Sequence, residues 1–476
     1  MLQSYVKNKL YLCTVKNKLV RLMKSRSADS AVRIDMLDAR QLTAKLIRFA
    51  LPIVASGIVQ QSFNSVDVAV VGQYVGSRAL AAVGSNGPVI GLIINLFVGI
   101  SIGANVVISN YIGQRNHDRV ANAVATTMML SVVSGIILLA VGLLISRPIL
   151  EMMGTPGSII DSACLYLRIF SLGFPAMLVY NFGSAVLRSI GDTKRPFYCL
   201  VFGGIANIIL NLVLVLVFGM GVEGVAVATV VSNIISAAGV VYILTHEQAP
   251  VKVVISHLRM FRTELNRILR IGVPAGIQGM VFALSNIFIQ SAINSFGPDA
   301  VAGSAAALNY ELYCYFIISA FAQAAVAFVS QNFGALQYDM CRSVFRRCMM
   351  LSVVSCGLLN VVIFIWREPF VGIFTSDVHA ISYAAERVAY VLLFQFLASS
   401  YEIAGAAMRG IGYSMTPTVL TIFGTCLLRV GWIYITPEFS SFGHLLIIYP
   451  VTWSVTGLMV LVAYLVVSRK VLVQRT

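Results

Sequence analysis

The chain has 476 residues, of which 58% are hydrophobic and only 11% are charged. Soluble domains carry about a quarter charged residues, so this composition excludes an ordinary soluble protein. The formal net charge is +15. The basic residues stand mostly between apolar runs, as membrane topology signals do, and we therefore expect no nucleic acid among the partners.

A basic, polar segment comes first. Residues 1–43 contain no apolar run, and they lack the apolar core and small-residue cleavage site of a signal peptide. We expect them to form a basic tail.

Twelve apolar runs follow. Each is about as long as the roughly 20 residues that a transmembrane helix needs, or longer, and none shows the alternation of a membrane β-strand. The runs cover about 46–71, 84–111, 121–146, 159–186, 197–218, 222–245, 269–296, 301–333, 343–366, 381–408, 416–436 and 443–468. The sequence therefore predicts an all-α polytopic membrane protein with twelve transmembrane helices.

An internal repeat divides these helices into two sets. "AVLRSIGDTKRP" at 185–196 matches "AAMRGIGYSMTP" at 406–417, and the glycines Gly191 and Gly412 within them lie 221 residues apart. Further landmarks share this offset, which predicts two pseudo-symmetric six-helix lobes in parallel orientation. The predicted organisation is a basic cytoplasmic tail at 1–43, an amino-terminal lobe (N-lobe) at 44–245, a cytoplasmic connection at 246–267, a carboxyl-terminal lobe (C-lobe) at 268–470 and a cytoplasmic end at 471–476.

Basic residues are concentrated on one side of this arrangement. The tail, the 188–195 turn and the 246–267 connection hold many of them, and Arg409 counts on the same side, whereas Arg387 counts on the opposite side. Cytoplasmic loops carry such an excess. We therefore expect a multi-pass protein of the cell membrane with both termini in the cytoplasm.

One carboxylate, Asp67, lies within the first apolar run. A charge at membrane depth costs about 2.5–3.5 kcal/mol on insertion scales, so we expect Asp67 to face the protein interior and to have a use. Asn207 and Asn211 share a face of the fifth helix because they are four residues apart, and Thr229 lies in the sixth. Carboxylate, amide and hydroxyl oxygens suit Na⁺. The same carboxylate, away from water, could carry a proton instead.

Longer motifs resemble the multidrug and toxic compound extrusion (MATE) family. They are "LPIVASGIVQQSFNSVDVAVVGQYVG", "AVLRSIGDTKRP", "NIILNLVLVLVFGMGVEGVAVATVVS" and "VSQNFGA", and the resemblance covers about 44–468. It implies a secondary active transporter that exports organic, often cationic, compounds by antiport with Na⁺ or H⁺ through alternating access. It also places the N-lobe cation site at the residues matching Asp67, Asn207, Asn211 and Thr229.

The fifth helix departs from one branch of this family. DinF-like members commonly carry "NIxLDP" with a second carboxylate, whereas this chain has "NIILNL", and NorM-like members also have Asn at the place of Asn211. Asp67 is then the only carboxylate predicted inside the N-lobe, so the site can release at most one charge. Na⁺ and H⁺ remain alternatives.

The predicted C-lobe also carries charges at membrane depth, Glu402 in the tenth helix and Arg429 in the eleventh. Each is the other's nearest partner by sequence depth, which predicts a buried ion pair that braces the lobe. The alternative is a site for a cationic drug or a proton. Some NorM-like members use acidic residues of this lobe for ion coupling, and here Asn286 and Ala398 occupy roughly those places, so the resemblance does not extend to coupling through the C-lobe.

Five further residues are candidates for a substrate cleft, with hydrogen bonding between helices or ordinary packing as the alternative. They are Gln60, Gln61, Gln278, Glu311 and Tyr313. Glu311 is expected near the outer mouth, where its charge would attract cations, and aromatic rings such as that of Tyr313 stack on flat cations.

Gly99 and Gly103 form a GxxxG pattern in the second run. Small residues at this spacing let two helices approach closely. We therefore expect a close helix contact there.

Two other functions compete with drug export. A flippase for lipid-linked precursors would need a basic central cavity to hold a pyrophosphate. Here Asp67, Glu402 and Arg429 are together net acidic and favour cationic cargo. An enzyme or receptor has no support in the sequence, because no HExxH motif, phosphate-binding loop or nucleophile elbow is present. We expect no cofactor beyond the coupling ion, and a monomer whose partners are small organic cations and membrane lipid.

Overall fold

The protein is built from long apolar helices. The computed structural model describes residues 39–374, 377–436 and 439–472. Within these ranges eleven helices are long and apolar enough to cross a membrane, and one bent pair of helices makes a twelfth. The prediction of twelve spanning helices is confirmed.

We number these spans α1 to α12. The first six are α1 (Arg40–Val75), α2 (Ser77–Gly113), α3 (His117–Met152), α4 (Ile160–Ser171 and Phe174–Ser189, bent by 47°), α5 (Lys194–Val217) and α6 (Val222–His246). The second six are α7 (Arg262–Asn294), α8 (Pro298–Gly334), α9 (Tyr338–Ile365), α10 (Val378–Gly410), α11 (Met415–Ile435) and α12 (Phe442–Val471). A short helix, Arg367–Gly372, lies between α9 and α10.

Several spans depart locally from the α-helix. π-helical turns close α1 at Val71–Val75 and α5 at Val213–Val217, and another interrupts α11 at Ile422–Leu427. A 3₁₀ segment, Leu392–Leu397, interrupts α10. π-turns inside helices are rare and occur frequently at functional sites. Those of α1 and α11 lie beside the charged residues Asp67 and Arg429.

Two compact units are distinguished, residues 1–45 and 46–476. Of the first unit only residues 39–45 are described, and they are helical. Most of the predicted tail and of the predicted cytoplasmic end at 471–476 lie outside the described residues. Between α6 and α7 the chain forms a short 3₁₀ helix at Ile255–His257, and α7 already begins at Arg262, inside the predicted connection 246–267.

The two halves repeat the same backbone. Gly76 precedes α2 with φ 108°, and Gly297, 221 residues later, precedes α8 with φ 93°. Gly191 and Gly412 form a second pair, with φ 87° and 93°, in the turns before α5 and α11. Glycine adopts this conformation without a steric penalty. Matched turns therefore start matched helices in two six-helix lobes.

The lobes meet along a seam between α2 of the N-lobe and α7 and α8 of the C-lobe. A side chain at Gly99 would overlap the backbone of Gly276, and one at Gly103 would come within 2.7 Å of the Gly272 nitrogen. The close helix contact predicted from the GxxxG pattern is confirmed. These contacts lie toward the side of the bundle where α2 ends and α7 begins, which we call the proximal side.

The seam has an approximate two-fold symmetry. A side chain at Gly113 of α2 would overlap the carbonyl of Gln331, and one at Gly334 of α8 would overlap the carbonyl of Asn110. The 221-residue offset relates one contact to the other, because it pairs Gly113 with Gly334 and Asn110 with Gln331. The Ser330 hydroxyl also donates to the Val106 carbonyl at 2.6 Å. Backbone thus packs directly on backbone where the lobes touch.

Candidate functional site

A polar cluster joins α1 to α5 inside the N-lobe. The Asn211 amide nitrogen donates a hydrogen bond to the Asp67 carboxylate. The same nitrogen lies 3.4 Å from Oδ1 of Asn207, one turn earlier in α5. Asn207 and Asn211 are buried, and Asp67 is half-buried. The structure thus brings together three of the four residues predicted for the cation site.

Thr229 lies close to this cluster but does not bond to it. Its hydroxyl donates to the Val225 carbonyl of its own helix at 3.0 Å. Val225 packs with valines of α1 and α5 that follow Asp67 and Asn211, namely Val70, Val71 and Val215. Because Thr229 is one turn from Val225, it lies on the same face of α6, toward α1 and α5.

Apolar layers enclose the cluster along the helix axes. The valine layer lies on the side of the cluster that faces away from the proximal side, which we call the distal side. It is one turn beyond Asp67 and Asn211. On the proximal side of the cluster the Phe63 ring packs directly on Gly204, where a Cβ would overlap it. These apolar layers flank the half-buried Asp67 carboxylate on both sides along the helix axes, and charges interact more strongly beside protein than in bulk water.

The cluster has the chemistry of a cation site. Asn211 is fully buried, and its Oδ1 has no hydrogen-bond partner. Among the described residues Asp67 forms no ion pair with a basic side chain. A carboxylate and amide oxygens with no competing positive charge suit Na⁺, as oxygen ligands suit hard cations. A desolvated carboxylate can equally well hold a proton.

Two of the π-helical turns adjoin this cluster. Val71–Val75 begins four residues after Asp67, and Val213–Val217 begins two residues after Asn211. A π-turn weakens the regular hydrogen-bond ladder of a helix. The helix segments that carry Asp67 and Asn211 therefore end in backbone that can rearrange.

The C-lobe interior contains an ion pair that the sequence did not predict. Arg387 of α10 donates to both carboxylate oxygens of Glu311 in α8, at 2.6 and 3.0 Å. The Gln395 side chain donates to the Glu311 carbonyl at 2.8 Å. Both charged side chains are buried. The prediction that Glu311 lines a cleft near the outer mouth is therefore wrong, because its carboxylate is fully engaged inside the lobe.

The predicted ion pair between Glu402 and Arg429 does not form. Arg429 is fully buried, and among the described residues it donates only to neutral groups, Oδ1 of Asn286 at 3.1 Å and the Thr452 hydroxyl at 3.3 Å. Glu402 is half-buried and lies within electrostatic reach of Arg409. The reason is helical phase. A 3₁₀ segment precedes Glu402 and a π-turn precedes Arg429, and each rotates the following side chains away from the α-helical register.

Gln278 and Arg409 form a contact between α7 and α10. Nη2 of Arg409 donates to Oε1 of Gln278 at 2.6 Å, and both side chains are buried. Gln278 is therefore not an open cleft residue, because its acceptor is used within the C-lobe. Arg409, counted in the sequence as a cytoplasmic charge, reaches back into the lobe.

The remaining cleft candidates are more accessible. Gln60 is exposed and Gln61 is half-buried on α1. Tyr313 is half-buried and lies against two other rings, with centroids 6.4 Å from Tyr310 and 6.5 Å from Phe316. Their role in a cleft stays a prediction.

A cavity of about 490 Å³ opens at the proximal end of the seam. It is lined by both lobes, including Tyr111 of α2, Arg267 and Arg270 of α7, and Tyr413. The Arg267 guanidinium stacks over the Tyr111 ring at 5.5 Å and donates to its hydroxyl at 3.1 Å. This cavity is distinct from the Asp67 cluster and contributes nothing to it.

Comparison with known proteins decides the family. A model of the MatE family matches residues 52–213 and, separately, residues 274–435. The chain belongs to the MatE family. One match falls in each lobe, so the repeat that relates the lobes is a repeat of the MatE unit itself, as the sequence motifs predicted.

Relatives of this MatE protein include named bacterial proteins. "Probable multidrug resistance protein YoeA" of Bacillus subtilis (strain 168) is 29% identical over 432 residues, which cover 89% of this chain and 93% of the relative. "Probable multidrug resistance protein NorM" of Thermotoga maritima is 27% identical over 413 residues, covering 85% of this chain and 88% of the relative.

The fold agrees with solved MATE structures. A crystal structure of MATE in the straight conformation matches with a TM-score of 0.84 at 22% identity, and the match covers 91% of this chain and 97% of that chain. This likeness concerns the fold, and it confirms the twelve-helix, two-lobe architecture.

Sequence reasoning missed Arg387 as an interior residue. Arg387 lies inside the tenth apolar run, 381–408, yet it was counted among the charges of the outer side. An arginine within an apolar run needs a partner. The charge of Glu311, in the run at 301–333, was the available signal.

Proposed function

We propose that this MatE-family protein is a secondary active exporter. It moves small organic compounds out of the cell in exchange for Na⁺ or H⁺, and Asp67 binds the coupling ion. The observation that carries the proposal is the contact of Asp67 with Asn211 between α1 and α5, in an enclosed cluster of oxygen acceptors. The relatives named as multidrug resistance proteins support organic compounds as the cargo.

Alternating access assigns a role to the seam. With both termini in the cytoplasm, as the basic loops favour, the proximal side faces the cytoplasm of the cell membrane. The seam then closes the path on that side, and the distal side is the one from which cargo leaves. The lobes separate at Gly99, Gly103 and Gly113 when the transporter turns inward.

The proposal involves no chemical reaction on the cargo. The protein acts as a monomer, because each monomer contains both lobes and the Asp67 cluster. It requires no cofactor beyond the coupling ion, and its Gln60, Gln61 and Tyr313 side chains contribute to the path of the cargo.

A flippase for lipid-linked precursors is the second candidate. Asp67, Glu402 and Arg429 are together net acidic, which disfavours such cargo, but the buried residues Arg387, Arg409 and Glu311 add one net positive charge to the C-lobe. Pyrophosphate-bearing cargo would need these arginines. Two of them are already bonded, to Glu311 and Gln278, which favours drug export.

The test is dye export by purified protein in liposomes. A Na⁺ gradient and a pH gradient are imposed separately on wild type, Asp67→Asn and a control, Asp118→Asn, which changes an exposed carboxylate. We expect wild type and the control to export the dye with one of the gradients. Asp67→Asn, equally well folded and inserted, should not, because an amide neither neutralises a cation nor takes up a proton.

Export by Asp67→Asn at the wild-type rate would remove Asp67 from the mechanism. A lipid-linked pyrophosphate that moves across the bilayer with wild-type protein, while the dye does not, would select the flippase.

A further inference from the structure

Arg429 is a positive charge without a counter-charge. It is 0% exposed, and within the described part of the chain no carboxylate pairs with it. The guanidinium of an arginine carries a positive charge in proteins. A buried charge of this kind is strongly unfavourable unless something compensates it.

The nearby carboxylate is already used. Arg387 and Arg429 lie on the same ring, Tyr449, with guanidinium carbons 5.6 and 4.4 Å from its centroid. Glu311 gives both of its oxygens to Arg387. One negative charge therefore serves two guanidinium groups, and this part of the C-lobe has a surplus of one positive charge.

The surroundings of Arg429 offer donors and ring faces. Its Nη2 has no hydrogen-bond partner, and neither has the indole nitrogen of Trp453. The guanidinium carbon lies 5.9 Å from the Trp453 ring and 5.3 Å from that of Phe282. Unused N–H groups beside a positive charge bind anionic oxygen well, since hydrogen bonds to ionised partners are roughly twice as strong as neutral ones.

Asn286 of α7 covers the guanidinium of Arg429 on one side. It is exposed, and its Oδ1 accepts from Nη1 of Arg429 at 3.1 Å. Phe282, one turn earlier on α7, is half-buried. A turn of the Asn286 side chain would free the Nη1 donor beside the unused Nη2. Two adjacent guanidinium donors match the two oxygens of a carboxylate or phosphate group.

We propose that Arg429 binds the anionic group, a carboxylate or a phosphate, of compounds that this protein transports. Asn286 is the neutral acceptor that the anionic group replaces, and Phe282, Tyr449 and Trp453 form the ring-lined wall. The transported compounds then include zwitterions and organic anions as well as cations. This inference rests on the proposed export function, whose coupling ion binds in the other lobe.

The test compares two probes that differ only in this group. A rhodamine with a free carboxylate and its methyl ester are titrated against purified full-length protein, and binding is followed by fluorescence polarisation. A charged hydrogen bond contributes about 1.5–3 kcal/mol, so we expect wild type to bind the acid about ten- to a hundred-fold more tightly than the ester.

Three variants locate the preference. Arg429→Gln should bring the ratio of acid to ester affinity near one. Asn286→Asp should do the same, because the new carboxylate binds the Arg429 guanidinium in place of the probe. This variant also keeps the buried charge paired, so it remains informative if Arg429→Gln does not fold. Asn294→Asp is the matched control. It adds the same charge to an exposed position on the same helix, roughly 12 Å further along, and should keep the ratio.

Outcomes separate this inference from export itself. A wild-type ratio near one, a ratio that survives Asn286→Asp, or binding of neither probe overturns the inference. Chloride could raise the thermal stability of wild type but not of Arg429→Gln. If the ratio of acid to ester affinity is also near one, Arg429 binds an inorganic anion and the inference is overturned. If the acid is preferred but neither dye is exported from liposomes, the site stands and the export function fails. If both are exported with equal affinity, export stands and the inference fails.

Discussion

The two lobes share a backbone and have opposite interiors. In the N-lobe, the buried polar atoms that lack a partner include the acceptors Oδ1 of Asn86 and Oδ1 of Asn211. In the C-lobe they include donors on Arg409, Arg429 and both Trp432 and Trp453, with Oε1 of Gln395 as an exception. Hydroxyl groups aside, the unpaired polar atoms of the described N-lobe residues are acceptors, and most of those of the described C-lobe residues are donors.

The repeat shows where this divergence arose. The 221-residue offset places Trp432 at the position of Asn211, and the offset of 221 or 222 in the first span places Phe288 or Ile289 at that of Asp67. The turn glycines and the seam contacts kept their pairing. A duplicated fold can therefore hold its backbone while each copy acquires its own chemistry.

The largest expected effect concerns the buried pair of the C-lobe. Glu311→Gln leaves Arg387 buried without its partner, which should lower stability by about 3–5 kcal/mol. The double change with Arg387→Met should recover much of this loss. Thermal unfolding of the purified variants measures both.

An exposed pair of the N-lobe is the control. Arg147 and Asp161 are 3.0 Å apart with side chains 51% and 81% exposed, so Asp161→Asn should cost at most about 1 kcal/mol. Similar losses for Glu311→Gln and Asp161→Asn would contradict the burial of charge that distinguishes the C-lobe.

Substitutions at paired positions of the seam should lower stability equally in the two lobes, in contrast to substitutions in the two interiors. Gly113→Ala and Gly334→Ala each force a side chain into backbone of the facing lobe, and each should cost about 1–3 kcal/mol by overpacking. Gly91→Ala, where the added carbon meets no described atom within 4 Å, should be neutral or slightly stabilising. A loss confined to one of the first two variants would break the two-fold relation.

A smaller effect is expected from the amide of the N-lobe cluster. Asn211→Leu removes the donor to Asp67 and one oxygen without changing charge, and it should weaken the apparent affinity for the coupling ion by about ten-fold. The ion-concentration dependence of dye export measures it. Asn95→Leu, whose amide bonds only within its own helix, is the control, and an equal shift in both variants would argue against a specific role for Asn211.

The smallest effect is expected from the tail. A protein that starts near Ala44 keeps both MatE units and the later basic loops that set orientation. It should insert correctly and still confer drug resistance, with at most a lower yield. Correct insertion without any transport would give the tail a working role.

The spans and the repeat could be predicted from hydropathy and from the 221-residue offset, whereas the grouping of Asp67 with Asn207 and Asn211 across two helices came from the resemblance to the MATE family. Asn207 and Asn211 lie on one face of α5 because they are four residues apart, wherever the helix sits in the membrane. Partners in different helices were less predictable. Glu402 and Arg429 match in depth, but the 3₁₀ and π segments before them change the face each presents.

Loop charges misled for a related reason. Arg387 was assigned to the outer side of the membrane and Arg409 to the cytoplasmic side. Both assignments assumed that long side chains near helix ends point out of the bundle. Both instead reach a buried acceptor, Glu311 and Gln278, and their aliphatic stems allow that reach. Glu311 and Arg387 are 76 residues apart in the sequence and Gln278 and Arg409 are 131 apart, so their positions along the chain gave no information on the distance between their side chains.

We expect the coupling ion to bind in the N-lobe, and a measurement of charge movement distinguishes this from binding in the C-lobe. Reconstituted protein on a supported membrane is exposed to a jump in Na⁺ or H⁺ concentration in the presence of the ester dye, and the current is recorded for wild type, Asp67→Asn and Glu402→Gln. We expect a current in wild type that is absent in Asp67→Asn and retained in Glu402→Gln. A current that persists in Asp67→Asn and disappears in Glu402→Gln would place the coupling ion in the C-lobe and contradict this expectation.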